Sequence, residues 1–155
     1  MRNLRNILTH AIWIPRAILE LLYARIKLIS VTPRDVVELN SRAQRDGVSS
    51  YRKTIQQSAA LERVIFLVPR VAARVPWRSD CLVQALATQR WLYSYKIPTK
   101  VEIGVQRGDA SEFRAHAWAV CDEQIILGGE ISSFSPLLSR AMKCEATGDK
   151  VSKEK

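Results

Sequence analysis

Cysteine and histidine are the side chains best suited to covalent chemistry, and this sequence offers them at only five positions, Cys81, Cys121, Cys144, His10 and His116. Cys81 follows the turn-like run Trp77-Arg78-Ser79-Asp80 and opens the apolar segment CLVQALATQRWLYSYK, which predicts a helix N-terminus at the thiol. There, unpaired backbone N–H groups and the helix dipole stabilise a thiolate, the form of cysteine that attacks carbonyl carbon. His116 lies 35 residues further on within FRAHAWAV, in a segment with the character of a strand. A thiol nucleophile needs an imidazole within hydrogen-bond reach to take its proton and later pass one to a leaving amine, and the two meet in space rather than in sequence. A third group orients the imidazole by accepting a hydrogen bond from its other nitrogen. Among the acids after His116, Asp122 and Glu123 read as turn residues, leaving Glu130 as the candidate by elimination. Each residue also has an unreactive reading: a buried inert cysteine, a packing histidine and a solvated loop carboxylate.

The elements that must position these residues follow from hydrophobic period. Residues 7–29 place Leu8, Ile12, Ile18, Leu19, Leu22, Ile26 and Ile29 at helical steps, which predicts an amphipathic helix kinked or restarted at Pro15. Thr32-Pro33 resembles a cap with proline at the first helical position, so a second helix is expected over about 33–45, ending at Asp46-Gly47. Residues 52–75 read as a helix in two pieces, divided at Pro69. The helix from Cys81 is apolar on most sides and is therefore expected to be central and buried. After Ile97-Pro98 the period changes to two: Val101, Ile103 and Val105 alternate with Lys100, Glu102 and Gly104. Two more strands, over 113–121 and 124–127, flank a tight turn at Asp122-Glu123. Helices first and an antiparallel sheet afterwards make an α+β fold, a helical N-terminal half packed on a small antiparallel sheet.

The 155 residues suffice for one compact domain, expected over 1–142, followed by a polar and charged tail over 143–155 that reads as disordered. Hydrophobic residues make up 47% and charged residues 25%, which excludes collagenous and wholly disordered classes. Three cysteines with no close pair suggest neither a disulfide framework nor a zinc ribbon, and fit a reducing, cytoplasmic setting. With two histidines and no HExxH or Cys/His cluster, metal catalysis is not expected. Residues 1–80 carry 14 basic and 6 acidic side chains, so the net charge of +9 sits almost wholly in the front half. Such a surface suits an anionic partner, yet it also serves solubility. Nucleic-acid binding has charge alone in its favour, with no zinc-finger, RNP-like or basic-heptad motif. Arg16, Glu20, Arg25 and Lys27 interrupt the apolar run at 7–29, so it does not span a membrane, and core packing is favoured over contact with a membrane surface.

The run PWRSDCLVQALATQRWLYSYKIPTKVEIGV followed by FRAHAWAV resembles the transglutaminase-like cysteine peptidases of lasso-peptide biosynthesis. Those proteins share a proline-tryptophan-basic lead-in, a cysteine opening a helix, a glycine-containing strand and HAW on the next. The match runs over about 75–138, with weaker similarity before it. The resemblance implies a transglutaminase-like, papain-like cysteine protease core with Cys81 as nucleophile and His116 as base. It implies removal of the leader from a ribosomally made precursor peptide without a cofactor, so that an ATP-dependent lasso cyclase can close the freed core. Some members are fused to a strand-rich leader-binding domain, whereas residues 1–75 here read as helices continuous with the peptidase, so the stand-alone form, working with a separate leader-recognition protein, is expected. Members often carry an aspartate about a dozen residues after the histidine, where this sequence has Gly128, and a glutamate at the position of Val120. Glu130 on a shifted loop, an upstream carboxylate or a simple Cys/His dyad are the alternatives. Two other functions are compatible with the residues: an acyl transferase using the same pair, or a catalytically degenerate basic binding module.

Overall fold

A computed structural model describes residues 10–29, 33–46, 54–107 and 113–137. The expected tail at 143–155, the loop at 47–50 and most of the turn at 106–112 lie outside the described residues. Helix α1 (Ile14–Lys27) starts with Pro15 in its first turn, where the missing N–H has no intrahelical partner to lose, and ends with Arg25 and Lys27 at the negative pole of the dipole. Helix α2 (Pro33–Asp46) carries Asp35 in its first turn. Helix α3 (Ile55–Ala72) is closed by a capping box in which the Thr54 hydroxyl accepts from the Gln57 N–H while the Gln57 side chain accepts from the Thr54 N–H.

The expected division at Pro69 does not occur; α3 runs through it as one helix. Pro69 sits in the last turn with its ring exposed, so only one hydrogen bond is forfeited there. Around it Val64, Leu67, Val68 and Val71 are buried, and the Arg70 and Arg74 guanidinium groups donate to the Phe66 and Arg70 carbonyls. Packing and these side-chain donors outweigh the local penalty.

Helix α4 (Cys81–Tyr93) is buried on most sides, including Val83, Leu86, Trp91 and Leu92, and packs against α1, α3 and the sheet. It stops at Tyr93, three residues short of the expected Lys96, because Lys96 takes a left-handed conformation (φ 59°) that lets the Ile97 N–H close on the Leu92 carbonyl. Four strands follow, β1 (Lys100–Arg107), β2 (Phe113–Cys121), β3 (Gln124–Leu127) and β4 (Ser135–Pro136), in the order β3-β2-β1-β4, every pair antiparallel. Asp122 and Glu123, both at positive φ, form the two-residue hairpin turn between β2 and β3, as expected. The α+β architecture read from the sequence is the one observed, with the two-residue β4 added at the sheet edge.

Period two divides the sheet residues. Val101 opposite Ala119 and Ile103 opposite Ala117 face the core that Leu21, Val64, Leu86 and Leu92 build from the helices. Glu102 opposite Trp118 and Gly104 opposite His116 alternate with them. A polar clamp fixes the helices to the first strand: Asn40 of α2 donates to the Val101 carbonyl and accepts from the Val101 N–H, both at 2.8 Å. Gln89 of α4 donates to the Asn40 side chain and to the Thr99 carbonyl.

Candidate active site

Cys81 is the first residue of α4 and is half-buried. Asp80 occupies the N-cap position in an extended conformation, yet its carboxylate pairs with Arg78 and caps none of the first-turn N–H groups. Those donors and the dipole remain directed at the thiol end of the helix. Two further polar groups in the lead-in loop, Trp77 Nε1 and Ser79 Oγ, are buried with no hydrogen-bond partner among the described residues. Buried polar groups are nearly always paired in a finished fold, so these two, four and two residues before Cys81 in the chain, stand out.

His116 lies on β2, the strand against which α4 packs. Its ring is held on one side by Phe134, centroids 5.1 Å apart, and by Trp118 at 6.2 Å. The Nε2 atom lies 2.6 Å from the main-chain oxygen of Gly128. A carbonyl oxygen only accepts, so Nε2 carries the proton and donates, and in the neutral ring Nδ1 is left as the base. The fold thus sets the helix opened by Cys81 against the strand bearing His116. Among the described residues, no hydrogen bond joins the Cys81 thiol to the His116 imidazole, whose Nε2 is engaged by Gly128.

Trp118 is fully buried and anchors the neighbourhood. Its indole N–H donates to Glu102 at 2.9 Å, and its ring lies over Gly104, where an added Cβ would come within 2.6 Å of Trp118 Cη2. Glu130, the candidate third member, lies on the exposed loop past β3, with its carboxylate accepting from the Ser132 N–H at 3.0 Å. That hydrogen bond, with a second from the Ser132 side chain, lowers its pKa. The structure brings Glu130 to Ser132 and Gly128 to His116. The supporting roles of Trp118, Glu102 and Gly104 were not visible in sequence, although HAW and the lone strand glycine mark two of the positions. Among the described residues, no three of His, Cys, Asp and Glu gather as a metal site. A cleft of about 480 Å³ opens among α1, α2 and the far half of α4, lined by Tyr23, Leu39, Arg42 and Arg90; neither Cys81 nor His116 borders it.

A cysteine opening the central helix of a small α+β domain, with a histidine on the adjoining antiparallel strand, belongs to the class of folds that support thiol-dependent acyl transfer. The family described as the Transglutaminase-like superfamily matches residues 23–139, and the chain belongs to it. Cysteine peptidases and acyl transferases are both common in that superfamily. Comparison with curated proteins and with solved structures found no match.

Proposed function

We propose that this protein is a cysteine peptidase that removes the leader from a ribosomally synthesised lasso-peptide precursor. The observation that carries the chemistry is the donated hydrogen bond from His116 to Gly128, which leaves Nδ1 basic on the strand packed against the Cys81 helix. The superfamily supports thiol acyl chemistry in general, and the PWRSDC and HAW runs support the choice of substrate.

Nδ1 of His116 takes the Cys81 thiol proton, and the thiolate attacks the carbonyl carbon of the scissile peptide. The C–N bond breaks as the imidazolium gives that proton to the departing amine of the core peptide. The leader remains as a Cys81 thioester. Water then attacks with His116 as base, and the leader leaves as a carboxylic acid while the proton returns to the thiol. First-turn N–H groups of α4 would donate to the oxyanion, with Trp77 and Ser79 in the lead-in loop as further candidates. A separate leader-recognition protein delivers the precursor, and an ATP-dependent cyclase consumes the freed core in the cytoplasm.

Intact mass spectrometry of the precursor incubated with the protein and its leader-recognition partner tests this reading. The expected result is a leader and a core peptide from wild type and neither from Cys81→Ala. An amide-linked adduct in place of a free leader acid identifies an acyl transferase. Intact precursor in every sample, with the partner shown to bind the leader, excludes both and leaves a basic binding module.

A further inference from the structure

The acceptor that orients His116 belongs to the main chain, at a position closed to side chains. Gly128 has φ of +126°, a conformation L residues rarely adopt, and an added Cβ would lie 2.3 Å from Trp118 Cβ and 2.9 Å from Trp118 Cα. Trp118 has little freedom to yield, with its indole N–H on Glu102 and its ring over Gly104. The same tryptophan that excludes a side chain at 128 therefore holds the Gly128 backbone against the histidine two residues away on its own strand.

We propose that the Gly128 carbonyl is the third member of the site, a neutral acceptor that fixes the His116 tautomer where a carboxylate commonly serves. Its catalytic consequence rests on the peptidase reading; the hydrogen bond itself does not. The nearby acids are engaged elsewhere, Glu102 by the Trp118 indole and Glu130 by Ser132. Holding an imidazole with its proton on Nε2 requires an acceptor in the right place, and a carbonyl meets that requirement without charge. What it omits is the negative charge that would stabilise the imidazolium formed during attack. The site is thus complete as a Cys/His pair with a backbone positioning group, and supplying an acid at 128 does not improve it.

An acid placed at 128 distinguishes this site from one that has simply lost an aspartate. If the site lacked only a carboxylate, Gly128→Asp would raise activity. Here it breaks the packing on Trp118, displaces the carbonyl and lowers kcat by at least about tenfold. Gly128→Ala acts likewise, whereas Gly129→Asn, a residue that tolerates the left-handed φ of +69° at a position where an added Cβ meets nothing within 4 Å, keeps kcat within about twofold.

The direct readout is the long-range ¹H–¹⁵N spectrum of the full chain labelled with ¹⁵N-histidine, assigned with a His10→Gln variant, beside precursor cleavage kinetics. A single neutral tautomer with the proton on Nε2 in wild type, lost in Gly128→Ala together with kcat, supports the proposal. A neutral ring with its proton on Nδ1 and none on Nε2, averaged tautomers in wild type, or a Gly128→Asp protein that cleaves at least as fast as wild type overturns it. Should the Gly128 variants fail to fold, the wild-type spectrum decides. Should wild type show the Nε2–H tautomer and no turnover, the hydrogen bond stands and the peptidase reading falls; turnover with an Nδ1–H tautomer gives the reverse.

Discussion

At the residue scale, Cys81 and His116 carry the proposed bond-making and proton transfer, and their substitutions separate chemistry from folding. Cys81→Ala and His116→Ala are expected to abolish precursor cleavage, a loss of at least about a thousandfold, while circular dichroism stays that of wild type. Both side chains are only half-buried, and the large core side chains Trp91, Leu92 and Trp118 are left in place. Trp77→Phe keeps a benzene ring but removes the pyrrole half of the indole with its N–H, which has no partner among the described residues. The lost packing against the core and the removal of an unpaired donor oppose each other, so stability should change by less than about 1 kcal/mol, while kcat falls if the indole meets the substrate oxyanion. Unchanged kcat in that variant would remove Trp77 from the chemistry. For Glu130 the sign follows from its lowered pKa: the Ser132 hydrogen bonds stabilise the charged form, so their contribution is present above the ordinary carboxylate range and lost as pH falls through the lowered value. At neutral pH Glu130 is ionised and has no proton to give. Glu130→Gln is expected to keep cleavage within about twofold at neutral pH, and its stability difference from wild type should shrink on acidification.

At the scale of elements, the site depends on how closely strands and helices approach. Gly104 is the β1 residue opposite His116, and Trp118 occupies the space a side chain would take there. Gly104→Ala is expected to cost about 1–3 kcal/mol in urea unfolding, with slower cleavage as the Trp118 ring shifts. A variant as stable and as active as wild type would show that Trp118 can move freely. The Asn40 and Gln89 clamp ties α2 and α4 to the start of β1. Asn40→Ala leaves the Val101 backbone groups and the Gln89 amide short of partners, and a loss of about 1–3 kcal/mol is expected by the same measurement. Pro69 shows the opposite balance. Local chemistry predicts a break, and the packing of Val64, Leu67, Val68 and Val71 keeps the helix whole.

At the scale of the whole molecule, charge and connectivity decide what meets the domain. Residues 1–80 carry 14 basic and 6 acidic side chains, nearly all of the net +9, and much of that charge lies on the segments flanking α1, α2 and α3. Part of that charge is internal: buried Glu20 of α1 pairs with Arg90 of α4 and with Arg16. Arg90→Met would leave Glu20 with one cationic partner and lower stability, whereas the exposed pair of Arg42 with Glu38 contributes little. If the remaining basic surface receives an acidic leader or partner, affinity should fall several-fold as added salt shortens the screening length from about 30 to about 10 Å. The rate of Cys81 alkylation by a neutral reagent should not follow. No helix among the described residues is long and apolar enough to cross a membrane.

The sequence by itself determined the order of elements and marked the two side chains proposed to react. Period-two alternation at 101–105 and the buried character of the helix from Cys81 are local signals, set by which side chains avoid water. HAW and the cysteine after PWRSD were legible because nucleophile and base must be particular residue types. What accepts the histidine's second hydrogen bond was not legible. Any acceptor will serve, main-chain carbonyls occur at every position, and which one reaches Nε2 depends on the path of β3 past Trp118 and on a glycine conformation that no residue type announces. The tertiary structure alone placed Gly128 there and Glu130 on Ser132. It likewise decided that α3 passes through Pro69 and that Lys96 turns the chain, because both outcomes weigh a local cost against packing between segments distant in sequence.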